Sequence, residues 1–511
     1  AERGGTGRRI EINALATPRA GGAKPLDPSE WNRNDGFSPG QQITTYVPGV
    51  ATVKDAQGNP TGPVVGAPPI TNPGASLAVG SSSVVVIDTV TGLPHPVWAE
   101  IDLNAGYLLP ADQIDNPDPT KDAKPALIIR PAKNFAEGRR YVVALKNLKH
   151  DATGATLAAG TAFRTCRDGL ATQLPPVQQR CAQLGAGVFP VLEAAGIPVA
   201  GNEGLYLAWE FTTASAENNV GRLRHMRDDA FVNVLGQVED AAGRIVNLGR
   251  APAFQVTQVT DSGGERTVQG SFTVPSYVVP ADPSPLERER ELRAQLKAQF
   301  PELAPLIDAF DNVPRQAYTV SAPPNRLFYN PADNPNPDDP LGQRYGDGLP
   351  DRTGEMTTTF TCRLPRNASA ATRPIVYGHG LLGGQEERGA DHDYDLMYCK
   401  ADWFGFAFGD IPNVVSTLFD MSNFPVIPDG SQQGMLNQLF FARLLRHPQG
   451  FISDPAFRDA LGAPLFDNRE VFYDGNSQGG ILGGVVVALS KDITRGTLGV
   501  VGMNYSTLLQ R

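Results

Sequence analysis

Long apolar runs are missing from this sequence. No stretch approaches the roughly 18 consecutive apolar residues of a membrane helix, so no transmembrane segment is expected. Basic excess is missing too: 44 Lys and Arg stand against 54 Asp and Glu, a net charge of −10. No basic face is expected to neutralise phosphates, which excludes nucleic acid as a partner. There is no C-x-x-C and no Cys/His cluster with zinc spacing, and neither a metal nor a cofactor is expected. The chain opens on Ala1 without an apolar leader, as a processed chain would.

Cysteine is sparse at four residues, and the four fall in local pairs. Cys166 and Cys181 bracket one short loop, while Cys362 and Cys399 flank the segment holding Gly378, His379 and Gly380. Four cysteines allow three pairings, so the sequence leaves connectivity open. Disulfides place the chain in an oxidising compartment, secreted or at the cell surface. Four buried thiols in a cytosolic protein are the alternative.

What the chain does have is length and turns. At 511 residues it exceeds a single core and is expected to hold roughly two to four domains. Its 54 glycines and 44 prolines are spread widely, as many turns and long loops require. Hydrophobic content of 41% with 19% charged residues is that of a globular protein.

Residues 1–75 alternate polar turns with Pro/Gly clusters and read as an extended, mostly irregular lead-in. Residues 76–170 carry short β-branched runs bounded by turns, such as Ser83 to Ile87, Val97 to Ile101, Ala126 to Arg130 and Tyr141 to Leu145. That spacing suits a β-sandwich. The stretch Tyr141 to Phe163, turning at Asp151 to Gly154, resembles the end of a bacterial Ig-like domain. Residues 171–251 read as a mixed connector: a helix over 174–196, a strand over Leu205 to Phe211 and a polar helix over 216–229. From 252 to 511 the pattern becomes α/β, with a helical and loop insertion at about 280–350. Within it, 285–300 reads as a solvated helix laced with ion pairs. The acidic loop 329–352 lacks an EF-hand register, so no calcium is expected there.

The chemistry is concentrated near the end. Glu470 to Tyr473 reads as a strand running into Asp474-Gly475-Asn476-Ser477-Gln478-Gly479-Gly480, a G-x-S-x-G pattern that opens a helix. A serine on such a strained turn needs small neighbours, which Gly475 and Gly479 supply. The following helix aims its N-terminus at the site, where its field favours developing negative charge. A second match, Gly36-Phe37-Ser38-Pro39-Gly40, follows a polar turn and not a strand. Its Pro39 has no N–H to offer an oxyanion. Ser38 is expected to be an ordinary turn serine.

Upstream, Arg373 to Tyr377 reads as a short apolar strand ending in Gly378-His379-Gly380-Leu381-Leu382-Gly383-Gly384. A Gly-rich turn there exposes backbone N–H groups without side-chain obstruction. With these two motifs the chain resembles the α/β-hydrolase superfamily, in its bacterial secreted lipase or esterase form. That resemblance implies Ser477 as nucleophile and the N–H groups of Leu381 and Gln478 as oxyanion donors, with Gly378, His379, Gly380, Gly475 and Gly479 supporting them. It implies leading antiparallel strands at Gly270 to Pro275 and Thr357 to Cys362. An intervening strand over Ala401 to Pro412, a helix over Gly434 to Leu445 and a further strand over Thr497 to Tyr505 follow from it. His379 is expected to shape the loop, since the base in this fold follows the serine in chain order. His392 and His447 are expected at the surface.

One departure stands out. The 34 residues after Ser477 contain no histidine, and Asp492 comes too soon to be the usual acid. The hydrolase sheet is therefore expected to be incomplete here, lacking its last strands. The acid and base would lie beyond Arg511, and a second polypeptide is expected to complete the domain. The expected activity is acyl transfer on a small-molecule or lipid ester. A serine peptidase, or a non-catalytic surface or adhesion protein with a degenerate hydrolase domain, are the rivals.

Overall fold

The computed structural model describes residues 5–17, 25–102, 126–279, 325–334, 344–385, 395–411 and 420–502, with isolated positions between 294 and 304 and between 413 and 417. They divide into two units, one built on 31–219 and the other on 12–30 with 220–503. Both mix sheets with helices, an α/β protein throughout.

In the first unit eight strands form two antiparallel sheets. Strands β1 (Ile43–Tyr46), β2 (Thr52–Lys54), β3 (Pro60–Val64), β5 (Val97–Ile101) and β6 (Ala126–Pro131) make a sheet in the order β1-β6-β5-β3-β2. Strands β4 (Val84–Asp88), β7 (Arg140–Lys146) and β8 (Leu205–Thr212) make the other, in the order β4-β7-β8. Side chains alternate across a strand, and both faces of β4 are covered. Val84 and Val86 pack with Val97, Ile129 and Phe211 from the two sheets. Val85 and Ile87 pack instead with Cys166, Leu184 and Leu192 from three helices, α1 (Thr161–Arg167), α2 (Pro175–Gly187) and α3 (Phe189–Ala194). This double coverage explains why β4 is a continuous apolar run and not an alternating one. The Cys166–Cys181 disulfide ties α1 to α2.

Two readings of this region shift. Residues 43–64, read as irregular, supply three short strands rich in Thr, Pro and Gly, which carry little periodicity. The helix read over 174–196 is two helices, because Pro190 opens α3 and cannot donate to the turn before it.

The second unit is organised by one seven-stranded sheet. A two-stranded hairpin, β9 (Val238–Glu239) and β10 (Ile245–Asn247), precedes it. The sheet comprises β11 (Phe254–Ser262), β12 (Glu265–Ser276), β13 (Gly354–Pro365), β14 (Arg373–Gly378), β15 (Leu396–Ala401), β16 (Val471–Asn476) and β17 (Ile493–Gly499). Its order is β11-β12-β13-β15-β14-β16-β17. Pairing is antiparallel as far as β15, and β15, β14, β16 and β17 run parallel. Cys362 and Cys399 are register partners on β13 and β15 and form the second disulfide.

Helix α4 (Ala216–Asp228) contributes Leu223 and Met226 to the core beneath this sheet. Helix α5 (Val426–Arg446) lies in the same core, burying Leu436, Leu439, Phe440, Phe441, Leu444 and Leu445. Each such side chain taken from water contributes about 1.5–3 kcal/mol. The fully buried Arg443 of α5 is satisfied on every side. It bonds Asp492 at 2.9 Å, the Leu248 carbonyl at 2.7 Å and the Gln237 side chain, and lies 4.6 Å from the Phe231 ring centroid. Glu30 closes a second charged cluster. It accepts from Arg326 and, at 2.7 Å, from the Tyr345 hydroxyl, while Arg326 also bonds Asp429 at 2.7 Å.

Boundaries differ from the sequence reading in three places. The intervening strand ends at Ala401, where it was expected to begin; Asp402 to Ala407 form a buried loop, followed by a 3-10 turn over Phe408–Asp410 whose first side chain is exposed. Helix α5 starts at Val426, eight residues before Gly434, and β17 spans 493–499, not 497–505. The helix read over 285–300 lies almost wholly outside the described residues. Among the described residues no helix is long and apolar enough to cross a membrane.

Candidate active site

Strand β16 sits between β14 and β17 and ends at Asn476. Helix α6 (Gln478–Leu489) begins at once, leaving Ser477 alone to turn the chain. It does so at φ 55° and ψ −116°. A positive φ costs a non-glycine residue about 1–3 kcal/mol and persists only where surroundings enforce it. The enforcing contacts are two. Ser477 N–H donates to the Gly499 carbonyl at 3.0 Å, and the Ser477 carbonyl accepts from Ile481 N–H at 3.0 Å. The serine is half-buried, with Asn476 exposed before it and Gln478 buried after it.

Close approach explains the flanking glycines. A Cβ on Gly475 would overlap the Gly479 carbonyl, and one on Gly479 would overlap the carbonyl of Gly378. The first turn of α6 therefore rests directly on the end of β14, where Gly378 is the register partner of Gly475. The opening N–H groups of any helix lack intrahelical acceptors, and those of α6 begin at Gln478.

From Gly378 the chain enters a pinned loop. His379 is 1% exposed, with Nδ1 2.8 Å from the Gly380 carbonyl and Nε2 accepting the Trp403 N–H at 2.9 Å. Both partners demand a neutral ring with its proton on Nδ1. Such a ring cannot take a proton from a serine without breaking a buried bond. Holding the Gly380 carbonyl to one side turns the N–H of the same planar peptide, that of Leu381, to the other. Leu381 itself is exposed, and Leu382 follows at φ 54°. Further along, the Gly383 carbonyl accepts Phe408 N–H at 2.9 Å and Asp402 accepts Gln385 N–H at 2.7 Å.

The bed under this loop is the 402–410 segment. Asp410 anchors it by accepting Ala407 N–H and the Asn325 amide, each at 3.0 Å. Burial pushes the Asp410 carboxyl up to about 7, against the opposing pull of those donors.

The structure thus gathers Gly378, His379, Gly380, Gly475, Ser477, Gln478 and Gly479 around one strand-to-helix turn. Ser38 is exposed in a plain turn of the other unit, its carbonyl accepting Gln41 N–H at 3.2 Å. His447 is not a surface residue. It is buried between the Gly249 carbonyl and Gln449 N–H, and burial lowers its basicity. His392 lies outside the described residues. Asp492 is consumed by Arg443. The sequence reading missed Tyr473, Asp402 and Asp410, all of which brace the turn or its loop; only Tyr473, four residues before the serine, stood close enough to the motif to be noticed. A cleft of about 650 Å³ lies at the other end of the sheet, lined by Arg373, Asp467, Arg469 and Phe472. That is the wrong end for chemistry, because parallel sheets bind ligands at the carboxyl ends of their strands. Among the described residues, no group of three or more His, Cys, Asp or Glu side chains is arranged to hold a metal.

No protein-family model matches the chain. No curated protein matches it. Among solved structures it is similar to a Bacteroides fragilis protein assigned as an acetyl xylan esterase, at 10% identity and a TM-score of 0.23. The match covers 55% of this chain and 52% of that one, so the chain spans about half the length of its neighbour. A likeness at that level carries no weight for fold or activity.

Proposed function

We propose that residues 252–511 are the nucleophile-bearing part of an α/β-hydrolase domain, and that the protein is a serine hydrolase of carboxylic esters. The observation that carries this reading is the backbone of Ser477: a non-glycine residue at φ 55° between a parallel strand and a helix. The antiparallel strands leading into four parallel ones support the same fold.

In this reading Ser477 Oγ attacks an ester carbonyl and forms an acyl-enzyme, which water then hydrolyses. The N–H groups of Leu381 and Gln478 hold the tetrahedral oxyanion, helped by the dipole of α6. His379 keeps its loop in place and stays neutral. The proton acceptor is none of the described histidines of this unit whose ring nitrogens are engaged, His379 and His447. The substrate class is a small-molecule or lipid ester. Two disulfides support a secreted or cell-surface location.

The test is labelling of the full-length protein with a fluorophosphonate probe, followed by peptide mapping. Modification at Ser477, absent in Ser477→Ala, is expected. An unlabelled protein would remove the hydrolase reading in favour of a scaffold. Turnover of p-nitrophenyl esters against peptide substrates then separates esterase from peptidase.

A further inference from the structure

Tyr473 lies on β16 four residues before Ser477 and is 2% exposed. Its hydroxyl donates to the Gly479 carbonyl in the first turn of α6. Three glycines from three different elements leave room for that hydroxyl. A Cβ on Gly378 or on Gly483 would overlap it, and one on Gly475 would come within 2.6 Å. The hydroxyl thus occupies the point where the end of β14, the end of β16 and the start of α6 meet.

We infer that Tyr473 is a positioning residue, a strut that sets the distance between the loop opening at Gly378 and the N-terminus of α6, and so between the two backbone donors of the oxyanion site. Helix α6 is also held at its two ends, where Ser477 N–H bonds the Gly499 carbonyl and Arg227 bonds the Leu489 carbonyl, each at 3.0 Å. Between them it rests on close glycine contacts and apolar packing, which resist approach and do not resist sliding. The buried hydrogen bond from Tyr473 ties its first turn to β16 along the helix axis. Its carbonyl acceptor lies one residue beyond Gln478, so a shift of the helix moves the Gln478 N–H directly. This inference rests on the proposed hydrolase reading.

Tyr473→Phe in the full-length protein keeps the ring and removes the donor. Expected are a kcat for p-nitrophenyl esters lower by on the order of tenfold with KM unchanged, and faster hydrogen exchange at the amides of 478–481. Replacement by 4-aminophenylalanine, which restores a donor at the same place, is expected to recover most of the rate. A lower melting temperature with kcat unchanged would reduce Tyr473 to a packing residue and overturn the inference. Should Tyr473→Phe not fold, the 4-aminophenylalanine variant decides: exchange at 478–481 close to the parent's supports the strut, and exchange as fast as in an unbonded helix start overturns it. If the parent neither labels nor turns over, the hydrolase reading has failed separately. The exchange comparison then judges the strut alone, unchanged exchange in Tyr473→Phe overturning it.

Discussion

The chain writes G-x-S-x-G twice, around Ser38 and around Ser477, and folds the two differently. At Ser38 the residue after the serine is Pro39, the carbonyl of Ser38 closes a turn to Gln41, and the serine avoids positive φ. At Ser477 a strand delivers the serine, a helix removes it, and the backbone is held at φ 55°. Three letters, Gly, Ser and Gly, are common to both. What differs, besides Pro39, is the architecture on either side: only at Ser477 do a strand end, a helix start and the neighbouring strand at Gly378 meet.

The comparison can be broken most forcefully at the serines themselves. Ser477→Ala is expected to lower ester hydrolysis by about 10⁶-fold, while Ser38→Ala leaves the rate within twofold of the parent; equal losses would erase the distinction. A second variant writes the Ser38 sequence into the Ser477 turn. Gln478→Pro removes one N–H at the first helical position, where proline is tolerated. We expect kcat to drop by about 10²–10³ and the melting temperature to fall as well, because Gln478 is buried and proline restricts the backbone of Ser477 before it.

The loop that opens at Gly378 has a titrating support, and this gives a third test. The Asp410 carboxyl sits at about 7 in the fold against 3.8 as a free group. The folded state therefore keeps a proton that the unfolded chain releases between those values. Stability falls as pH rises through that window and levels off above it, by a few kcal/mol at most. Urea midpoints measured at pH 5 and pH 7.5 should differ, and Asp410→Asn should flatten that difference. The smallest effect sharpens the contrast. Ser477→Gly relieves the positive φ and should raise stability by about 1 kcal/mol, whereas Ser38→Gly only adds freedom to the unfolded chain and should lower it slightly.

The sequence was most legible where one local constraint dictates the structure. Glycines at 378, 475 and 479 announce close backbone approach, and the apolar run ending at Tyr377 announces a strand. It was least legible where an apolar run meant burial without regular structure. Trp403, Phe404 and Phe406 look like a strand, yet they are buried side chains of a loop bent at Gly405, whose φ is 89°. The true strand, Leu396–Ala401, contains Tyr398 and Lys400 and reads as less apolar than its burial warrants. Pro428 and Gly430 disguised the start of α5, where Gly430 is needed because Gly405 and Asn325 press against it. His447 looked solvated because histidine near a helix end usually is. Its burial comes from a carbonyl nearly two hundred positions away in sequence, which no local pattern encodes.

Glu30 carries a practical lesson for anyone cutting this gene. Numbering suggests that a piece starting at 220 would contain the whole second unit. Such a piece would remove Glu30, which accepts from both Arg326 and the Tyr345 hydroxyl, and leave Arg326 with Asp429 as its remaining carboxylate. A separately expressed second unit should begin upstream of residue 30, or supply 12–30 as an added peptide, since the segment that neutralises its interior is encoded ahead of the neighbour it skips over.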